Sequence, residues 1–142
     1  MQKPSENRLG TLQTIDMLLC DTNIFIEIYR NNPKTETVLK SIGIDKIAVS
    51  DVTRAELFFG AKDKRELHVI CKSLNNLITL HIQQEISKMA TFFVEQYCLS
   101  HRLGLPDALI AATAIYHDIE LYTLNIKDFR FIPDIRLYSP EG

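Results

Sequence analysis

Leu18-Leu19-Cys20-Asp21-Thr22-Asn23-Ile24-Phe25-Ile26-Glu27 is the stretch on which the fold turns. A short apolar run breaks off in Asp-Thr-Asn, and a second apolar run begins at once. The first run is brief enough for a buried strand. The second has Ile24, Phe25 and Ile28 at helical spacing, with Thr22 or Asn23 as its N-cap. Asp21 then lies at the carboxyl end of a buried strand, where a helix starts. In open α/β sheets that is the edge where ligands bind. The other acids of the chain are candidate partners for this carboxylate.

Outward from this stretch, strands and helices alternate. The first strand covers about 17–21 and the first helix about 23–31. Pro33 opens a second helix with Val38, Leu39 and Ile42 on one face, ended by Gly43. Lys46 to Ser50 is a second strand. A helix from about Thr53 follows, then an amphipathic one with Leu67, Ile70, Cys71 and Leu74. Leu77 to Ile82 is a third strand. The longest helix spans about 84–103, with Gly104 as its C-cap. Pro106 opens an Ala-rich helix, and Ile119 to Thr123 is a fourth strand. Phe131 to Tyr138 holds a weaker edge strand, interrupted at Pro133. Such alternation predicts a mostly parallel sheet with helices on both faces.

The bulk numbers suit one soluble domain. The chain has 142 residues, 46% hydrophobic and 24% charged. Residues 1–16 are polar and aperiodic and read as a flexible arm, leaving 17–142 as the domain. Met17 is an alternative start. No apolar run approaches membrane-spanning length, and the N-terminus lacks a secretory h-region. The formal charge of -2 and the pI near 6.1 argue against a broad cationic surface. Cys20, Cys71 and Cys98 are far apart in apolar surroundings, without zinc spacing. They read as buried reduced thiols of a cytoplasmic protein.

Four places set an acid or amide at a strand end or helix start: Asp21, Glu56, Asp107, and the pair Asn125 and Asp128. A parallel sheet gathers its strand ends on one edge, so these groups can converge. Converging carboxylates repel unless a cation intervenes. Mg²⁺ or Mn²⁺ suits an all-oxygen site and can polarise a phosphodiester and activate water. Each residue also has a structural reading. Asp107 favours a helix N-terminus, Glu56 suits a solvated helix face, Asn125 suits a turn, and Asp128 suits a cap. Only Asp21, a charge directly after a buried strand, resists that reading.

Four segments then show a resemblance. Leu19-Cys20-Asp21-Thr22-Asn23-Ile24-Phe25-Ile26 resembles the opening motif of PIN-domain nucleases. Thr53-Arg54-Ala55-Glu56-Leu57-Phe58-Phe59-Gly60 resembles their second motif, and Leu105-Pro106-Asp107-Ala108-Leu109-Ile110-Ala111-Ala112 the third. Thr123-Leu124-Asn125-Ile126-Lys127-Asp128-Phe129 resembles the fourth. The size is most similar to the VapC-type toxins of toxin–antitoxin pairs. This resemblance implies a three-layer α/β/α domain and a Mg²⁺- or Mn²⁺-dependent endoribonuclease. It also implies a homodimer and an antitoxin that blocks the site. Asp21, Glu56 and Asp107 would bind metal, with Asn125 or Asp128 as a fourth catalytic position. Asn23 and Thr123 would support them. Arg54, Lys62, Lys64, Arg65, Lys127 and Arg130 are candidate RNA phosphate contacts.

Two rival readings keep the fold. In a phosphoryl-transfer domain Asp21 would be the nucleophile. Haloacid-dehalogenase enzymes, however, expect a second Asp where this chain has Asn23. A non-catalytic RNA- or partner-binding scaffold would need no intact acids.

Overall fold

The computed structural model describes residues 17–140, so the expected arm at 1–16 lies outside the described residues. Leu18–Cys20 forms strand β1, and helix α1, Thr22–Tyr29, follows without a loop. Helix α2 is Pro33–Ile42, strand β2 Ile47–Ser50, helix α3 Asp51–Phe59 and helix α4 Lys64–Leu74. Strand β3 is Ile78–Leu80. Helices α5, Gln84–His101, and α6, Leu105–His117, lead to strand β4, Glu120–Tyr122. Short 3-10 turns cover Ile44–Lys46 and Ile126–Asp128. No helix of the described residues is long and apolar enough to cross a membrane.

The strands lie in the order β3-β2-β1-β4, all parallel, with Leu19 opposite both Ala48 and Leu121. The central strands carry successive apolar residues, Leu18-Leu19-Cys20 in β1 and Ile47-Ala48-Val49 in β2, because both sheet faces are covered there. Leu19, Ala48 and Leu121 face a core shared with α5 and α6. Leu18, Cys20, Ile47 and Val49 face a second core with Ile24, Phe25, Leu57, Ile70 and Leu74. The result is an α/β/α sandwich. Helix α6 comes close through Ala108, Ala111, Ala112 and Ala114, all wholly buried. Larger side chains there would overpack by about 1–3 kcal/mol.

Several expectations need correction. The cap of α1 is Asp21, neither Thr22 nor Asn23: its backbone is extended and its carboxylate accepts from Thr22 N–H. Helix α3 starts at Asp51 because the Ser50 hydroxyl accepts from Thr53 N–H and caps it there. Helix α5 stops at His101, with Arg102 left-handed at φ 55° as its C-cap. Gly104 is the N-cap of α6. The last strand shrinks to one parallel bridge, Leu121 to Leu137, since turns and a left-handed Asp134 at φ 68° follow Pro133. Of the cysteines, all free, only Cys20 is buried; Cys98 is exposed on α5.

Candidate active site

The strand order sets the place. Successive connections run from β1 to β2 to β3, then return to β4 on the other side of β1. Crossovers on opposite faces open a crevice between the carboxyl ends of β1 and β4. Asp21 follows β1 there and Thr123 follows β4.

Asp21 is almost wholly buried, 5% exposed. A bare carboxylate would not be tolerated there, and three donors hold it. Thr22 N–H donates to Oδ1 at 2.7 Å. The Thr123 hydroxyl donates to Oδ2 at 2.8 Å, and the Asn23 amide donates to the same oxygen at 3.3 Å. Asn23 is fixed in turn by Leu124 N–H, which donates to its Oδ1 at 3.2 Å. Thr123 Oγ1 accepts from Asn125 N–H at 3.0 Å. Burial raises the Asp21 pKa, the Thr123 and Thr22 hydrogen bonds oppose it, and the charges of Glu56 and Asp128 add to the rise.

Glu56 is exposed in the second turn of α3. The Thr22 hydroxyl donates to its Oε1 at 2.6 Å and lies 3.0 Å from the Thr53 hydroxyl. One residue, Thr22, thereby serves two acids: its N–H holds Asp21 and its side chain holds Glu56. Sequence reading took Thr22 as a cap candidate and Thr53 as a helix start, and named neither as a site residue. The available signal was a hydroxyl adjoining Asp21 and another three residues before Glu56, one helical turn away.

Asp107 lies half-buried in the first turn of α6. Burial, and then the charges of Asp21, Asp128 and Glu56, push its pKa up to about 6. Four carboxylates therefore share one field. Asp128 acts on both Asp21 and Asp107. Asn125 is exposed and its side chain caps nothing, while its backbone N–H ties the loop to Thr123.

Among the candidate phosphate contacts, Arg54 is occupied in the fold. It donates to Thr79 Oγ1 at 3.3 Å and Asn75 Oδ1 at 3.2 Å, and its guanidinium lies 5.4 Å from the Phe58 ring centre. Lys62 pairs with Glu66 at 3.8 Å.

The model of the PIN domain matches residues 18–132, a span that takes in all four acids. The chain belongs to the PIN-domain family. Among its relatives, Ribonuclease VapC19 of Mycobacterium tuberculosis is 31% identical over 124 residues, which is 84% of this chain and 98% of the relative. A toxin–antitoxin complex from Klebsiella pneumoniae contains a similar chain, 31% identical with a TM-score of 0.72. The match covers 87% of this chain and 97% of that one. VapBC2 from Rickettsia felis, bound to a DNA fragment from their promoter, has a chain 27% identical with a TM-score of 0.73. It covers 86% and 97%.

The PIN-domain acids fit a hard divalent cation by donor chemistry. All are carboxylates, and their mutual repulsion on Asp107 is what a cation would relieve. Among the described residues, no three His, Cys, Asp or Glu side chains form a ready-made cage. Mg²⁺ does not require one, because it keeps several waters and takes one or two carboxylates.

Proposed function

We propose that this PIN-domain chain is a Mg²⁺- or Mn²⁺-dependent endoribonuclease and the toxin of a toxin–antitoxin pair. The observation that carries the reading is Thr22 at the carboxyl end of β1, whose N–H holds the buried Asp21 carboxylate at 2.7 Å and whose hydroxyl holds Glu56 at 2.6 Å, so that two acids meet at the crevice between β1 and β4. Curated relatives named ribonucleases and neighbours solved as toxin–antitoxin complexes support it. The reaction is attack of water on an RNA phosphate, leaving a 3′-hydroxyl and a 5′-phosphate. Asp21, Glu56 and Asp107 would hold the metal, which when bound supplies charge stabilisation at the phosphate and a more acidic water.

The chain's own residues supply orientation. Thr123, Asn23 and Thr22 N–H fix the Asp21 carboxylate, so its geometry costs no reorganisation during reaction. Thr22 ties Glu56 to the same helix start. With its pKa near 6, Asp107 is mostly ionised at neutral pH and takes up a proton in mild acid.

Two surfaces suit the partners. A cleft of about 530 Å³ lies between α1, α2 and α4, lined by Phe25, Ile28, Tyr29, Leu39 and Leu77. A second groove is lined by Ile26, Leu57 and Val69 together with Glu56. An antitoxin helix laid there could bring a basic residue to the acids and compete with the metal. Phe92 and Leu99, seven residues apart on the outer face of α5, are exposed and suit the homodimer contact.

The test is RNA cleavage by the purified chain with Mg²⁺ or Mn²⁺, with EDTA, and with Asp21→Asn. Cleavage should need metal and vanish in the variant while the fold persists. Cutting that survives EDTA or Asp21→Asn would overturn the reading.

A further inference from the structure

We infer that the stacked rings of His101 and Phe131, with Arg102 and Arg130, form a platform that seats one base of the RNA beside the acid cluster. The inference rests on the nuclease reading and names how its substrate is held.

His101 is the last residue of α5, and Phe131 follows the 3-10 turn that carries Asp128. Thirty residues apart in sequence, their rings stack with centres 3.9 Å apart and planes 12° apart. Tyr97 meets both edge-on, at 5.9 Å from His101 and 5.2 Å from Phe131. Ser100 Oγ lies 2.8 Å from His101 Nδ1 and fixes the imidazole about its own axis. Phe131 covers one face of that imidazole, yet the residue as a whole remains exposed. A ring held this firmly at the surface is preorganised for a further stacking partner.

An exposed arginine adjoins each ring: Arg102 follows His101 and Arg130 precedes Phe131. Two rings, each with an exposed arginine next to it in sequence, thus come together from separate parts of the chain. Exposed aromatic faces with basic residues nearby are how single-stranded RNA is commonly held, bases stacked and phosphates neutralised. Four carboxylates repel a phosphodiester, so the substrate must gain its binding energy beside them. Phe131 is three residues from Asp128, which places their Cα atoms within about 11 Å. Asp128 in turn acts on Asp107, six residues after His101. The platform and the acids therefore share one end of the molecule. At 100° per residue, Phe92 and Leu99 lie on the opposite side of α5 from His101, so a dimer contact there leaves the stack open.

The experiment compares wild type, His101→Ala and His101→Phe on one single-stranded RNA with Mn²⁺, reading kcat and KM separately. Loss of one stacked base should raise KM about five- to a hundredfold in His101→Ala with kcat little changed. His101→Phe should restore it. An abasic scan of nucleotides flanking the cut should find one position at which wild type and His101→Ala become equal. Equal KM for wild type and His101→Ala on intact RNA overturns the inference alone. A wild-type chain that cuts no RNA overturns the nuclease reading and the inference with it.

Discussion

Thr123 Oγ1 donates to Asp21 Oδ2 and accepts from Asn125 N–H, so one hydroxyl joins the buried acid to the loop after β4. Thr123→Val keeps the shape and removes both bonds. It should cost about 1–3 kcal/mol in urea unfolding, because a buried carboxylate oxygen loses its best donor. Asp107 behaves oppositely. Its pKa is raised from 3.8 to about 6, so between those values the folded protein binds more protons than the unfolded chain. Its contribution is therefore fully present below pH 4 and is lost as pH rises through 6. Asp107→Asn should stabilise the metal-free protein at pH 7 by about 1 kcal/mol, after discounting for solvent screening. The gain over wild type should vanish near pH 3. Paired melts in EDTA across this range check it, and a variant less stable at pH 7 would mean that Asp107 has an ionic partner. Asp21 has its pKa raised too, and adds to the same slope.

At the scale of elements, two glycines separate conformational need from habit. Gly43 ends α2 at φ 100°, and a Cβ there would lie 3.0 Å from Asp45 Oδ1. Gly43→Ala should cost about 1–2 kcal/mol. Gly60, at φ −82° after α3, would set a Cβ in ordinary contact with the Glu56 carbonyl at 3.5 Å. Gly60→Ala should raise stability by about 0.4–1 kcal/mol. Thermal melts of the two variants decide both. Elements with a strong period were legible in the sequence. The apolar runs at 18–20 and 47–49 and the alanines of α6 announced their burial. Boundaries fixed by a side chain reaching the backbone were not, as with Asp21 and Ser50, because composition does not say which of several polar residues caps. The junction of α5 and α6 misled for the same reason: a glycine is normally read as a stop, and here the stop is a left-handed Arg102. After Pro133 the local chain geometry overruled an apolar pattern, and the expected strand became one bridge. Asp21 and Asp107 were legible because one follows a strand and the other opens a helix, whereas Glu56, in the second turn of α3, and Asp128, at the end of a 3-10 turn, stood out through their motifs. Of the threonines serving these acids, Thr123 was named through its motif; Thr22 and Thr53 were not, since hydroxyls occur everywhere.

At the scale of the whole molecule, the apolar helices of one face meet only part of their need inside. Phe25 packs into the core, while Ile26 and Val69 remain exposed beside the groove that reaches Glu56. Light scattering of the pure chain, then titration with a candidate antitoxin, should show a dimer that takes up the partner and loses RNase activity. A monomer that ignores the partner and stays active would remove the toxin reading and leave the nuclease. Mg²⁺ or Mn²⁺ should also raise the melting temperature by mass action, and less so in Asp107→Asn. The strand order carries one more consequence, for synthesis. Of the described strands β1 is the first to leave the ribosome and its neighbour β4 the last, and the Asp21–Thr123 bond spans 102 residues. Contacts so distant close late. A nascent chain halted between residues 23 and 123 has Asp21 with its local donors, Thr22 N–H and Asn23, but without the Thr123 hydroxyl. A chain cut short there lacks the bond that joins its buried acid to β4, so the site is completed only once that strand has been made.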